Sequence, residues 1–232
     1  MLSSITHNIH RIQDTIQRAA QQSGRDPAEI CLVAATKTVT CEQLEEAYAA
    51  QIRNFGENRL QEAQEKMAQF GPREGLTWHF IGRIQRRKLK AIVGRFCLVH
   101  SVESLEQAHE LNRLAEQSSI HQDVLLQVNV GEEAQKGGFS VTGLQQALEE
   151  LDQLDHLRIR GLMALPPWAE DPEASRPYFA RLRALRDECA RRPMQRIVLK
   201  DLSMGMSHDY HIAIQEGATL VRIGSAMFGA RS

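Results

Sequence analysis

A single lysine stands directly after a short apolar run. The segment "LVAATKT", residues 32–38, places Lys37 behind Leu32, Val33, Ala34 and Ala35. An ammonium group in the middle of a buried strand is costly. At the end of the strand, the same group is either solvated surface or a nucleophile held in a pocket. A partly dehydrated lysine gives up its proton more readily, and the neutral amine attacks aldehydes. The other concentration of chemistry lies near the far end of the chain, in "DLSMGMSHD" (201–209) and "TLVRIGSAMFG" (219–229). These stretches hold Ser203, Gly205, Arg222, Gly224 and Ser225. Small residues let backbone N–H groups approach an anion. They also simply make tight turns, and the residues alone leave both readings open. The phosphate-loop pattern G-x-x-x-x-G-K-[ST] is absent, which argues against a nucleotide site of that kind.

The elements that must position these residues are legible as an alternation. Apolar runs read as strands at 30–36, 52–58, 77–82, 96–101, 123–130, 157–165, 196–203 and 219–224. Between them lie segments with helical spacing of apolar residues, such as "ESLEQAHELNRLAEQ" and "GLQQALEELDQL". "IQRRKLKAIVG" reads as a helix, and so does "EASRPYFARLRALRDECARR", with Pro177 near its start where proline is tolerated. Thr40 followed by Gln43 has the spacing of a capping box. Ser207 is the expected cap of the helix in "SHDYHIAIQEG", and Gly217 its stop. Ile5, Ile9, Ile12 and Ile16 form one stripe on an N-terminal helix that ends near Ser23-Gly24.

Strands alternating with helices predict a parallel sheet with helical crossovers. Eight such units close into a (β/α)8 TIM barrel, and 232 residues suit one. A doubly wound open sheet is the alternative. "SAMFGARS" is too short for a last outer helix, and the extra N-terminal helix can fill that place. No linker or low-complexity segment marks a second domain, so residues 1–232 are expected to be one.

In a barrel, chemistry collects at the carboxyl ends of the strands. Those ends are Lys37, Asn58, Gly82, Ser101, Asn129, Met163, Ser203 and Gly224. They hold one amine, amides, hydroxyls and glycines, but no carboxylate pair for glycoside chemistry. A lysine across the mouth from a phosphate cradle suggests pyridoxal 5′-phosphate (PLP) or a phosphorylated sugar aldehyde.

Composition excludes other classes. Hydrophobic residues are 42% and charged residues 25%, ordinary for a globular protein with a core. A formal net charge of −1 gives no global pull toward nucleic acid or anionic membrane. No apolar run spans a bilayer. The N-terminal stripe is interrupted by Asn8, Arg11, Asp14 and Arg18, unlike a secretory signal; a transit peptide is the other reading of such a start. Cys31, Cys41, Cys97 and Cys189 form no C-x-x-C pair and read as free thiols of a reducing compartment. The pairs His7/His10 and His208/His211 lack the carboxylates a metal site would add, so no metal is expected.

At "LVAATKT", "FGENRLQEAQEK", "WHFIGRIQRRK", "HSVES", "QVNVGEEAQKGG", "RGLMAL" and "LSMGMSHDYHIAIQEGATLVRIGSAMFG", the chain resembles the pyridoxal phosphate homeostasis protein family, also called YggS-like or PROSC-like. Each piece alone is weak, but seven in order over nearly the whole length are specific. The resemblance implies the barrel of alanine racemase N-terminal domains. It also implies that Lys37 carries PLP as a Schiff base, that Ser203, Gly224 and Ser225 hold the phosphate, that Arg222 faces the pyridine nitrogen, and that Asn58 lies near the cofactor. The family usually has "LQ-x-N-K" where this chain has "IQRRK", with Arg87 in the asparagine place. A solvated helix face is the expectation for "RRKLK", and a second anion site the alternative.

An arginine beside the pyridine nitrogen disfavours its protonation and so weakens the ring as an electron sink. Tyr48, Tyr178 and Tyr210 fall at no predicted strand end. The expectation is therefore a cytoplasmic, monomeric carrier or regulator of PLP without efficient catalysis, with PLP-dependent apoenzymes as recipients and no nucleic-acid or membrane partner. A PLP-dependent amino-acid racemase is the alternative, and a lysine aldolase without PLP a third reading.

Overall fold

The computed structural model describes residues 4–133 and 135–229. Eight strands pair in parallel and in sequence order, and the last closes on the first. They are β1 (Cys31–Ala35), β2 (Asn54–Glu57), β3 (Thr77–Phe80), β4 (Leu98–Val102), β5 (Gln122–Gln127), β6 (Leu157–Met163), β7 (Asp201–Ser203) and β8 (Leu220–Ile223). The helices are α1 (Ser4–Gln22), α2 (Cys41–Ala49), α3 (Leu60–Phe70), α4 (Leu89–Ile92), α5 (Leu105–Gln117), α6 (Val141–Leu151), α7 (Arg176–Ala190), α8 (Tyr210–Gln215) and α9 (Ser225–Phe228). The chain is the expected (β/α)8 barrel with an added N-terminal helix.

The main core lies between barrel and helices. A smaller apolar cluster of Val33, Leu98, Leu125, Met163 and Leu220 fills part of the barrel interior. The isoleucine stripe of α1 is buried, together with Ala19 and Ala20. Each such isoleucine removed from water contributes about 1.5–3 kcal/mol. That face packs on α8 and α9, and Asn8 Nδ2 donates to the Met227 carbonyl at 3.1 Å. So α1 covers the place that the four-residue α9 is too short to fill.

Local chemistry explains the helix ends. Thr40 and Gln43 form the capping box of α2, while Ser104 and Ser140 cap α5 and α6. Gly24 and Gly217 have φ of +68° and +98°, backbone that ends a helix without a Cβ penalty. Pro177 is the second residue of α7 and displaces no helical hydrogen bond.

Three elements differ from expectation. "IQRRKLKAIVG" forms a 3-10 turn over Arg86–Lys88 and then the single turn α4. Residues 196–200 stay outside β7. The Asp152 carboxylate captures the amides of Gln195, Arg196 and Ile197 at 2.8–3.0 Å, which commits that backbone to a loop. Ser207 does not cap α8: Asp209 occupies the cap position, and the Ser207 hydroxyl is engaged by the turn after β8. No helix among the described residues is long and apolar enough to cross a membrane.

Candidate functional site

Strand register brings the two chemical stretches together. β1 pairs with β8, Val33 beside Arg222 and Ala34 beside Ile223. The residues that leave these strands therefore emerge side by side. A cavity of about 690 Å³ opens at this carboxyl-end mouth, and Lys37, Asn58, Arg222, Gly224 and Ser225 all line it. That size is usual for a small-molecule site.

The turn that carries Lys37 is pinned from several sides. Its neighbour Thr38 has φ +63°, left-handed backbone that a β-branched residue adopts at a cost of order 1–3 kcal/mol. The Thr38 hydroxyl donates to the Lys37 carbonyl at 2.6 Å. The Thr36 carbonyl accepts from the Val39 amide at 3.1 Å and from the Lys66 ammonium on α3. Lys66 also pairs with Glu57 at 2.8 Å, and the Thr36 hydroxyl donates to the same carboxylate oxygen at 2.6 Å. Glu57 is completely buried. This brace, outside the ends of β1 and β2, fixes the backbone immediately before Lys37.

Arg222 forms part of the floor and is almost wholly buried. Its guanidinium donates to Ser203 Oγ and, at 3.1 Å, to the Ala164 carbonyl. Burial pulls its pKa down to about 10, against an opposing pull from Asp209. It remains a cation at neutral pH.

The wall beside Lys37, on the neighbouring strand rather than across the mouth, is built by the loops after β7 and β8. Gly205 has φ +88°, and a Cβ there would lie 2.5 Å from Ala213 Cβ, so only glycine fits. Asp209 ties the loop down, accepting from the Met206 amide at 2.8 Å and the Ser175 hydroxyl at 3.0 Å. The loop then delivers Ser207, whose oxygen accepts from the amides of Gly224 (3.2 Å) and Ala226 (3.1 Å). Gly224 itself sits close to the Ala35 carbonyl, 3.2 Å from where its Cβ would be. The Ser207 and Ser225 side chains thus stand together on this wall beside the turn at Gly224, whose amide is taken by Ser207. On the β2 side, Asn58 Oδ1 is buried without a hydrogen-bond partner.

Of the six residues expected at the cofactor, Lys37, Asn58, Ser203, Arg222, Gly224 and Ser225, Ser203 alone does not line the cavity. It is fully buried inside the barrel beneath Arg222, and Ser207 lines the cavity. Asn129 organises its own loop, donating to the Glu133 carbonyl at 2.8 Å, and Met163 is buried in the barrel interior. Arg87 is exposed on the solvated face expected for "RRKLK". Cys31 sits at the opposite end of β1 from Lys37, its thiol pushed up to about 11 by burial first and then by Cys97 and Asp201. Among the described residues, no His/Cys/Asp/Glu cluster is arranged to hold a metal ion. Sequence reasoning missed Glu57, Lys66, Ser207, His79 and His100. Only the buried setting of "FGEN", one residue short of Asn58, hinted at the first.

Comparison with known proteins defines the class. Residues 2–232 match the family described as alanine racemase, N-terminal domain. The pyridoxal phosphate homeostasis protein of Pseudomonas aeruginosa is 44% identical over 230 residues, covering 99% of this chain and 97% of that protein. Its namesake in Aquifex aeolicus is 43% identical over 223 residues, covering 96% of each. The solved structure of PipY from Synechococcus elongatus with PLP bound superposes with a TM-score of 0.81 at 34% identity, covering 93% of this chain and 100% of that one. The chain belongs to the pyridoxal phosphate homeostasis protein family.

Proposed function

We propose that this protein binds PLP at the barrel mouth and holds it for PLP homeostasis, protecting and delivering the cofactor rather than turning over a substrate. The observation that carries this reading is the placement of Lys37, Arg222 and the Ser207–Gly224–Ser225 group around one cavity. The residues fit the group: an amine, a buried guanidinium, the Ser207 and Ser225 side chains and the unpartnered Asn58 Oδ1. The homology to proteins of this name, one relative being solved with PLP, supports it.

Bound there, PLP would supply an aldehyde that captures amines and a pyridine ring that can accept electrons. Lys37 provides the amine that holds the aldehyde reversibly. Ser207, Gly224 and Ser225 hold the phosphate, with Ser203 one layer below. Arg222 donates toward the ring nitrogen and opposes its protonation. Asn58 orients the ring face. No tyrosine lines the cavity among the described residues, so a second acid–base group opposite Lys37 is not supplied by tyrosine. That favours a carrier over the alternative, an amino-acid racemase. The reading extends to a monomer in the cytoplasm that delivers PLP to apoenzymes.

The test is the absorption spectrum of purified protein with and without added PLP, beside Lys37→Ala. A visible band that borohydride bleaches and the variant lacks is expected, with no steady turnover across an amino-acid panel. No band at saturating PLP would overturn the cofactor assignment. Turnover abolished by Lys37→Ala would favour the racemase.

A further inference from the structure

Arg222 raises a question of its own. A buried guanidinium ordinarily needs a carboxylate, and its hydrogen-bond partners here are a serine hydroxyl and a backbone carbonyl. The interior of such a barrel is usually filled by branched apolar side chains. This one carries a polar series across it. Arg222 on β8 reaches Ser203 Oγ on β7. Ser203 Oγ lies 2.8 Å from His100 Nδ1 on β4, a contact that crosses the barrel. His100 Nε2 lies 3.0 Å from His79 Nδ1 on β3. His79 Nε2 lies 3.2 Å from Asn54 Oδ1 on β2, which also accepts from the Thr77 hydroxyl at 2.8 Å. His100 and Ser203 are fully buried, and His79 is 5% exposed.

The direction of every bond follows from what each group can do. Arg222 only donates, so Ser203 accepts from it. The Ser203 proton then goes to its remaining partner, His100 Nδ1. A neutral imidazole that accepts at Nδ1 carries its proton on Nε2, so His100 donates to His79 Nδ1. His79 then donates from Nε2 to the Asn54 carbonyl oxygen. Starting from Asn54, whose oxygen only accepts, gives the same assignment. Burial lowers both histidines, His79 to about 4 and His100 well below its usual value, with Arg160 acting on His79, and His79 and Arg222 acting on His100.

The geometry points to Ser203, His100 and His79 as positioning residues: a one-way series, Arg222 to Ser203 to His100 to His79 to Asn54, that holds the guanidinium in one orientation toward the bound ring nitrogen. The series is neutral beyond Arg222. It anchors the arginine without cancelling its charge, as a carboxylate would, and aligned hydrogen bonds of this kind polarise one another. The mouth therefore keeps a fixed positive charge that excludes a proton from the ring nitrogen. This rests on the proposed reading that PLP sits against Arg222.

Two measurements test it. In the protein without PLP, 15N-detected imidazole spectra should show His79 and His100 as Nε2–H tautomers that do not titrate through the neutral range. An Nδ1–H tautomer at His100 would overturn the direction of the series, whatever PLP does. With PLP labelled at its ring nitrogen, the wild-type signal should be that of an unprotonated pyridine. Ser203→Ala and His100→Leu should raise the PLP dissociation constant about tenfold, roughly 1.4 kcal/mol, and make the ring-nitrogen signal pH-dependent. His100→Gln, which can accept and donate, should restore both. Variants that fold and leave affinity and ring-nitrogen signal unchanged would overturn the positioning role. Should a variant fail to fold, His100→Gln and the wild-type tautomers still decide. Absence of PLP binding by wild type would instead sink the cofactor reading and leave the tautomer result standing.

Discussion

Replacing Lys66 by methionine removes the cation from the brace behind Lys37 while keeping most of the side chain's volume. Glu57 is fully buried, and the Lys66 side chain is 12% exposed. One carboxylate oxygen of Glu57 holds both the ammonium and the Thr36 hydroxyl, and the other has no partner. The variant strands this carboxylate with one neutral donor. Breaking a buried pair from one side costs about 3–5 kcal/mol. Lys66→Met should therefore lose about 3 kcal/mol at pH 7, a large share of a typical domain's stability. Urea unfolding gives the number, read from the midpoint at constant slope. The double variant Glu57→Gln with Lys66→Met should recover much of the loss. A single-variant effect below about 1 kcal/mol would refute the claim that this pair is a buried brace.

Three further outcomes follow from named geometry. His79 is neutral when folded and protonates near 6.5 when unfolded, so the unfolded state binds more protons below that pH. Stability should be full above pH 6.5 and fall toward pH 4 by about 3 kcal/mol for this residue, at about 1.4 kcal/mol per pH unit, and His79→Gln should flatten the urea midpoint's pH dependence. Gly205→Ala places a Cβ 2.5 Å from Ala213 Cβ at a φ of +88°, and should cost about 3 kcal/mol in urea unfolding. Cys31, its thiol near 11 and half-buried, should resist iodoacetamide at neutral pH, as mass spectrometry of labelled peptides would report.

Much of the architecture was legible because burial leaves periodic marks. The α1 stripe and the eight apolar runs each reflect one buried face, and the positions of Lys37 and Arg222 relative to those runs put both at one mouth. What escaped depended on contacts between distant residues or on single backbone angles. Ser203 and Ser207 both occur in "LSMGMS". Ser203 is the last residue of β7 and faces inward under Arg222, while the left-handed turn at Gly205 leads the chain on to Ser207, which meets the amides of Gly224 and Ala226. Glu57 and Lys66 look like ordinary surface charges in the sequence, and only the packing of α3 on β2 buries them together. Residues 196–200 have strand-like composition, yet Asp152 claims the amides of Arg196 and Ile197, with that of Gln195 before them.

The placement of one arginine links the fold to the proposed role. A carboxylate beside the ring nitrogen would make the cofactor a strong electron sink, and the protein holding it an efficient catalyst of carbanion chemistry. Here the hydrogen-bond partners of Arg222 are neutral and Asp209 acts on it only through space, so its charge is offset in part but not paired at the floor of the cavity. That charge suits retention, since it attracts the phosphate-bearing cofactor while keeping the ring poor at accepting electrons. On the proposed reading, storage and restraint are the same physical property. The strained turn at Thr38 and the brace from Lys66 to the Thr36 carbonyl hold the amine in place for a reversible bond. Substituting Arg222 by glutamate should therefore weaken retention and increase side reactions with amino acids together, and a change in one without the other would separate the two.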